Sequence, residues 1–508
     1  MQATIFSKLW MLTLLVIVAG LVHPPAARAQ IWGRLANPGF ANQHIKATLF
    51  FAGQARDGTE AYQPYCGLHN DEPNRTLYPP LDSPHLKWKE NEANRHLVLN
   101  LMAQAEINVI NMSSWGEKYL APCSWYSAPM QTSPQSHDEL FMAAKDKPLL
   151  IMPFIETRFK ASPTNDPPHS WEIPWQFFNE FPQTPDGNKA PGTVSQIVDL
   201  INRYLKNANY PEWAEKWARV FDQNGEQRYA VAIIHAGSNL LGPNDHAAFA
   251  AGFDPLADAV FEQTGGATHG GVKVGFFIDA LPSDTGAFDI IFKPNPEATG
   301  PHLRNQQSLL GIQCFTPEAF TPEAHIRGNN TTAVINWKRD FSRRWFETGI
   351  PFLLDVSSGY DAHIAFGTNS PRYGLTPEWL DLLTQMNRDY GRGGMVFNSW
   401  NGYSEGMVAV PGVEHRVIDG TVTNCGSLFY DWLRSLQSAD VYARKPDAPA
   451  PRNGTWASPY TLTEAIQNVP AGGTIGLLPT TSVPFDAAAT IQKACTMIAI
   501  GGSARIGP

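Results

Sequence analysis

Carboxylates and aromatic side chains gather just beyond the short apolar runs of this chain. Glu156 closes LLIMPFI (149–155), Asp279 closes VKVGFFI (272–278), and Glu318 follows LLGIQCF (309–315) in a loop flanked by proline. The stretch FNSWNGYSEG (397–406) sets Glu405 among Trp400, Asn401, Tyr403 and two glycines. Trp115, His235, Tyr360 and His363 stand beyond other runs. Sugar chemistry uses this mixture. The C–H faces of a pyranose stack on aromatic rings, and its hydroxyls need planar polar partners. Cleaving a glycosidic bond takes one carboxyl to protonate the leaving oxygen and a second to stabilise or activate the opposite side. Metal chemistry is less well served. No H-E-x-x-H or EF-hand loop occurs, and Asp361-x-His363 is a spacing that chance supplies often, so no metal site is expected.

These residues need a scaffold that brings the ends of many strands together. Eight short apolar runs read as strands: 46–52, 107–112, 149–155, 229–236, 272–278, 309–315, 351–356 and 394–397. Most are continuous rather than alternating, as parallel strands covered on both faces should be. Helical spacing of apolar residues falls at 91–105, 193–205, 247–263, 332–348 and 377–390. Strands alternating with helices across about 44–440 predict an α/β fold, a (β/α)8 TIM barrel. The rival is an open doubly wound sheet. It would carry a glycine-rich phosphate turn after its first strand, and Phe51-Ala52-Gly53-Gln54 is not one. Barrel active sites lie at the C-terminal ends of the strands, which is where the residues above fall.

FNSWNGYSEG resembles the WNEW-x-EG signature of the family 99 and family 71 type glycoside hydrolase barrels. It more closely resembles the WNGYTEG form of secreted bacterial proteins of uncharacterised function placed near them. GIPFLLDVSSGYDAH (349–363) and RYAVAIIHA (228–236) are similar to further blocks of that group, so the resemblance covers about 44–415. It implies a (β/α)8 barrel with glycoside chemistry, the known relatives being endo-acting α-mannosidases and α-glucanases. Glu405 matches the family's acid/base glutamate, and Trp400 with Asn401 matches its sugar-facing Trp-Asn pair. Gly402 departs from the pattern, because the family has its other motif carboxylate there. In family 99 that group assists attack by the sugar's own 2-hydroxyl, so the second carboxyl here must come from another strand or the activity differs.

Glu405 is therefore the candidate general acid, with Asp279 and Glu156 as candidate base or nucleophile. Asp355, inside the apolar run FLLDV, reads either as another such group or as a buried, hydrogen-bonded barrel residue. Trp115 and Trp400 are candidate stacking platforms. Asn401, Tyr403, Tyr360 and Glu318 are candidate sugar contacts, and His235 and His363 candidate partners for hydroxyls. The expected protein is a secreted glycoside hydrolase acting on an extracellular polysaccharide or glycan, without a cofactor. The alternative is a carbohydrate-binding or adhesive protein on a degenerate barrel.

Composition bounds these readings. Of 508 residues, 43% are hydrophobic, including 15 Trp and 27 Phe, which supports a large core and excludes a disordered chain. The net charge of −9 argues against nucleic-acid and anionic-membrane partners, which call for a basic surface. Lys8, the apolar stretch 9–22, Pro24-Pro25 and Ala27-Arg28-Ala29 make a signal peptide with cleavage expected after Ala29. A secreted or periplasmic location follows, with no membrane association after cleavage. Loss of Lys8 and Arg28 would take the charge from −9 to −11.

Cys66 and Cys123 follow the first two strands and are candidates for a loop-pinning disulfide, while Cys314 and Cys495 are expected to be buried. No C-x-x-C occurs to suggest a redox dithiol or a cysteine zinc site. The expected organisation is a signal peptide (1–29), a barrel (30–440), a Pro- and Ala-rich linker (441–453) and a β-rich module (454–508). The module, NGTWASPYTLTEAIQNVPAGGTIGLLP and onward, resembles the opening coil of secreted parallel β-helix proteins; a generic β-rich cap is the other reading. One or two coils cannot bury a solenoid core, so the module is expected to pack on the barrel, to pair with another chain or to be a truncated remnant.

Overall fold

The computed structural model describes residues 31–51, 91–114, 134–156, 193–234, 242–280, 292, 294–320, 331–361, 372–374, 376–391, 394–402, 407–408, 415–418, 421–424, 427–437, 439–445, 447, 450–456, 458–470, 473–478, 484–485, 491, 494–499 and 504. In chain order the first strands are β1 (Ile45–Phe50), β2 (Val109–Ser114), β3 (Leu150–Glu156), β4 (Arg219–Phe221), β5 (Gln227–Ile234), β6 (Val274–Asp279), β7 (Leu309–Gln313) and β8 (Phe352–Val356). Next come β9 (Gly359–Asp361), β10 (Arg372–Gly374) and β11 (Gly394–Phe397). Eight of these close into a parallel ring in the order β3-β2-β1-β11-β8-β7-β6-β5, with β5 returning to β3. Ala47 opposite Val396 and Ile155 opposite Ile233 are two of the registers that complete it. This is a (β/α)8 barrel, and each of the eight expected runs is one of its strands, displaced by two residues at most.

Helices Glu92–Gln104, Thr193–Tyr204, Thr331–Glu347 and Pro377–Tyr390 lie where apolar spacing predicts them. Their starts follow local chemistry: the Asn91 side chain accepts the Asn94 amide, and the Thr376 hydroxyl accepts the Trp379 amide ahead of Pro377. The expected helix 247–263 is two, His246–Ala250 and Phe253–Gln263. Pro255 has no amide hydrogen and fits only in a first helical turn, so the chain breaks at Gly252 and restarts. Pro134–Ala144, Pro296–Leu303 and Leu428–Ser435 are additional helices.

Two apolar layers hold the barrel. The outer one, between strands and helices, includes Val98, Leu140, Ile197, Val260, Trp345, Leu383 and Trp400. The inner one fills the ring with Ile45, Ala47, Leu49, Val109, Met152, Phe154, Ala232, Phe277, Leu353 and Val396. Residues 31–44 seal the N-terminal end, where Leu35 is fully buried and bridges Val220 of β4, which runs antiparallel to β5.

After the barrel come two short antiparallel pairs, β12 (Asn401–Gly402) with β13 (Met407–Val408) and β14 (His415–Ile418) with β15 (Thr421–Asn424). The last sheet is parallel: β16 (Val441–Ala443), β17 (Thr474–Leu477) and β18 (Thr496–Ala499) in that order, with helix Leu462–Asn468 between the first two. The expected linker 441–453 is thereby corrected, because its first three residues are β16 and pair with Ile475 to Leu477. The valine and tyrosine that open the segment are better strand formers than linker residues. Asp440 ties this sheet to the barrel: it accepts the Thr474 amide at 2.7 Å, lies 3.2 Å from His44 and bonds Arg34. Arg388 of the Pro377–Tyr390 helix stacks over Trp456 at 3.7 Å. Cys495 is half-buried rather than buried, and Cys314 is buried as expected.

Candidate functional site

Polarity changes abruptly along the barrel interior. Its middle holds the apolar layer described above, whereas amides and acids gather toward the strand ends. Asn111 of β2, Asp279 of β6, Gln313 of β7, Asp355 of β8 and Asn398 just past β11 are each at most 2% exposed. Asp279, Gln313, Asp355 and Asn398 sit at or next to the C-terminal ends of their strands, the rim where barrel chemistry is carried out, whereas Asn111 is the third of the six residues of β2. Asp279 is paired in register with Gln313 and accepts the Phe315 amide at 3.2 Å. Glu156 closes β3 on the same rim.

A charged cluster occupies the β7–β8–β11 sector. Lys338, from the helix Thr331–Glu347, donates to Glu318 at 2.7 Å and to Asp355 at 2.5 Å. Asn398 donates its amide to the other Asp355 oxygen and, at 3.1 Å, to the Cys314 carbonyl. None of Lys338, Glu318 or Asp355 exposes more than 2% of its side chain. Lys338 is shared between Asp355 and Glu318, and burial disfavours the charged form of the Glu318 carboxylate. Burial accordingly pushes the Glu318 carboxyl up to about 7, against the pull of Lys338. Burial pulls Lys338 down, but Asp355 and Glu318 more than reverse it and keep the ammonium charged. Burial, with Asp279 adding, drives the Cys314 thiol well up, so it is an inert side chain.

Aromatic rings enclose the cluster. Tyr373 stacks on Tyr360 with centroids 5.6 Å apart and leans on Trp379 at 5.2 Å. The Trp379 indole donates to the Ser357 carbonyl at 2.9 Å, and Lys338 lies 5.8 Å from its ring centroid.

Several expected sugar contacts have other occupations. Trp400 is 1% exposed, belongs to the outer apolar layer and meets Tyr430 edge-on at 6.2 Å. Its expected role as a stacking platform is corrected to core packing. Asn401 is bound head-on to Phe51, its oxygen accepting the amide at 3.0 Å and its nitrogen donating to the carbonyl at 3.2 Å. That side chain continues the β1 ladder where the strand partner has ended, and is corrected from a sugar contact to a backbone tie. Glu318 is bound by Lys338 instead of facing a cleft, and one face of Tyr360 is covered by Tyr373. Glu405, Trp115, Tyr403, His235, His363, Cys66 and Cys123 lie outside the described residues, as does the side chain of Glu156.

Three of these polar residues went unnoticed in the sequence, yet each left a signal. Lys338 occupies an inward position of a buried helical stripe with Val334, Phe341 and Trp345. Asn111 and Gln313 are polar residues inside the apolar runs INVINM and LLGIQCF. Among the described residues, no group of three His, Cys, Asp or Glu is placed to hold a metal ion, and no helix is long and apolar enough to cross a membrane.

No protein-family model matches the chain, and no curated protein sequence matches it. Solved structures with a similar course of the chain include the GH99 endo-alpha-mannosidase from Bacteroides thetaiotaomicron, at 13% identity and TM-score 0.42, covering 77% of this chain and 94% of that one. A glycoside hydrolase-like protein gives 10% identity and TM-score 0.45, with coverage of 78% and 94%. The catalytic domain of the major endoglucanase from Xanthomonas campestris pv. campestris gives 15% and 0.37, with coverage of 80% and 97%. Since these scores lie below 0.5, the barrel is established by its own strand register.

Proposed function

We propose that this chain is an exported glycoside hydrolase that cleaves an extracellular polysaccharide or glycan with carboxylate acid/base catalysis. The observation that carries the reading is the change from an apolar barrel interior to buried acids and amides at the C-terminal rim, with Asp279 on β6 and the FNSWNGYSEG segment following β11. Glu405 protonates the glycosidic oxygen. Asp279, or Glu156 across the rim, either activates water or attacks the anomeric carbon; the separation of the two working carboxyls decides which. The signal peptide delivers the protein to the periplasm or medium, where such glycans are met.

A second reading has a specific observation behind it. Gly402 stands at a position where the resembling family has a carboxylate, Trp400 is spent on packing and Asn401 on a tie to the Phe51 backbone. A barrel that kept its frame but lost turnover would bind glycans without cleaving them. Glu405→Gln decides between the two. Hydrolysis predicts that the wild type releases reducing ends from a polysaccharide panel and that the variant, with an unchanged circular-dichroism spectrum, releases at least about a hundredfold less, as expected for loss of a general acid. Full activity in the variant rejects the assignment of Glu405. Retention on a glycan array with no turnover by the wild type favours the binding protein.

A further inference from the structure

We infer that Asn111 and Gln313 form the floor of a hydroxyl-binding subsite on the barrel axis. The two residues come from β2 and β7, which stand four strands apart whichever way the ring is followed, so their side chains meet across the barrel. Asn111 Nδ2 donates to Gln313 Oε1 at 3.2 Å. That single bond leaves Asn111 Oδ1 and Gln313 Nε2 without a partner, although the residues are 0% and 1% exposed. Reversing both amides would not change the outcome. One carbonyl oxygen and one amino group would still be open side by side.

A buried amide pair with an open donor and an open acceptor carries a desolvation penalty that an apolar pair of the same size would avoid. Leu49 and Met152, the register partners of Asn111 on β1 and β3, are apolar members of the inner layer, so an apolar side chain would fit where Asn111 stands. The complement of the open pair is a group that donates one hydrogen bond and accepts one within a small volume. A hydroxyl does both. Gln313 pairs in register with Asp279, which puts this seat at the same level as the proposed base or nucleophile. The inference rests on the glycoside reading and deepens it: one sugar hydroxyl is held beneath the reacting ring. The other source of the same chemistry is an ordered water, and the test separates the two.

The test titrates D-mannose, D-glucose and their monodeoxy derivatives into the full-length wild type and Gln313→Met by calorimetry. A sugar hydroxyl on the floor predicts that one deoxy position weakens binding to the wild type by about tenfold or more, because a site built to bond a hydroxyl is left unsatisfied without it. Gln313→Met should weaken the parent sugar by a similar factor and lose its sensitivity at that one position. Asn111→Leu, which removes the other half of the pair, should give the same profile. The wild-type deoxy series needs no variant, so it decides even if both substitutions fail to fold. Equal binding of all deoxy analogues by the wild type, or an unchanged deoxy profile in Gln313→Met, assigns the floor to water and overturns the subsite. Binding of neither parent sugar overturns it as well. Glycan turnover measured on the same preparation then shows whether the hydrolase reading has fallen with it.

Discussion

The buried Lys338–Glu318–Asp355 cluster makes a quantitative prediction about pH. The carboxyl of Glu318 is held up to about 7 from an ordinary 4.5, because burial, with the Asp355 charge adding, outweighs the pull of Lys338. A group whose folded value is raised stabilises the fold fully below its unfolded value and ceases to do so as pH climbs through the folded one. The window therefore runs from about 4.5 to about 7. The folded state binds up to one proton more than the unfolded state across it, so stability falls by about 1.4 kcal/mol per pH unit, or ~3 kcal/mol over the window. Glu318→Gln imitates the protonated side chain and keeps an oxygen for the Lys338 ammonium. Its stability should match the wild type near pH 4.5 and exceed it by ~3 kcal/mol at pH 8. Urea unfolding of both proteins at half-unit steps measures the difference. Subtracting the two curves cancels titrating groups remote from Glu318, including Asp440, whose depressed value acts in the opposite direction at acid pH. Parallel curves from pH 5 to pH 8 would refute the raised Glu318 value, and a less stable variant at pH 8 would show that Glu318 is needed as an anion.

Other substitutions probe how the barrel is held. Asp440→Ala strips the acceptor from Arg34, His44 and the Thr474 amide, leaving a buried guanidinium unpaired; a loss of about 3–5 kcal/mol and faster proteolytic release of the C-terminal sheet are expected. Lys46 donates to the Leu433 and Leu436 carbonyls at 2.9 and 2.6 Å, so Lys46→Met should lower the urea-unfolding free energy by about 1–3 kcal/mol through unsatisfied carbonyls at the end of helix Leu428–Ser435. Gly394 has φ +121°, and a Cβ there would run into the Ile45 carbonyl oxygen. Gly394→Ala should therefore loosen the β1–β11 seam by about 2–5 kcal/mol, read as a lowered thermal midpoint.

The frame was legible in the sequence because its signals are long and redundant. Eight apolar runs, each bounded by turn residues, fixed the strand count without knowledge of any contact. Boundaries slipped where a polar residue ends a buried strand, as Glu156 does for β3 and Asp279 for β6. The site was legible only in part. Position along the chain placed Asp279 and Asp355 on the rim, but it does not say which side chains are already bound. Trp400 and Asn401 look like sugar contacts in a motif, and only their partners, Tyr430 and the Phe51 backbone, reveal other work. Glu318 likewise reads as a loop carboxylate until Lys338 is seen to reach it from a helix twenty residues on.

Lys338 and the Asn111–Gln313 pair share one property: each puts polar groups in buried positions beside apolar ones, Val334 and Phe341 for Lys338, Leu49 and Met152 for Asn111. Such choices lower stability at the level of the single residue, since a hydrophobic side chain of equal size is usually as good or better there. They persist where something other than stability is served. The two cases differ in a way that separates their roles. Lys338 donates to two carboxylates, and Asn398 joins the cluster through Asp355, so its bonds are made inside the protein. The amide pair is left incomplete by the protein itself, with one donor and one acceptor open on the axis. An internal brace needs no such opening, whereas a floor that must receive a hydroxyl does.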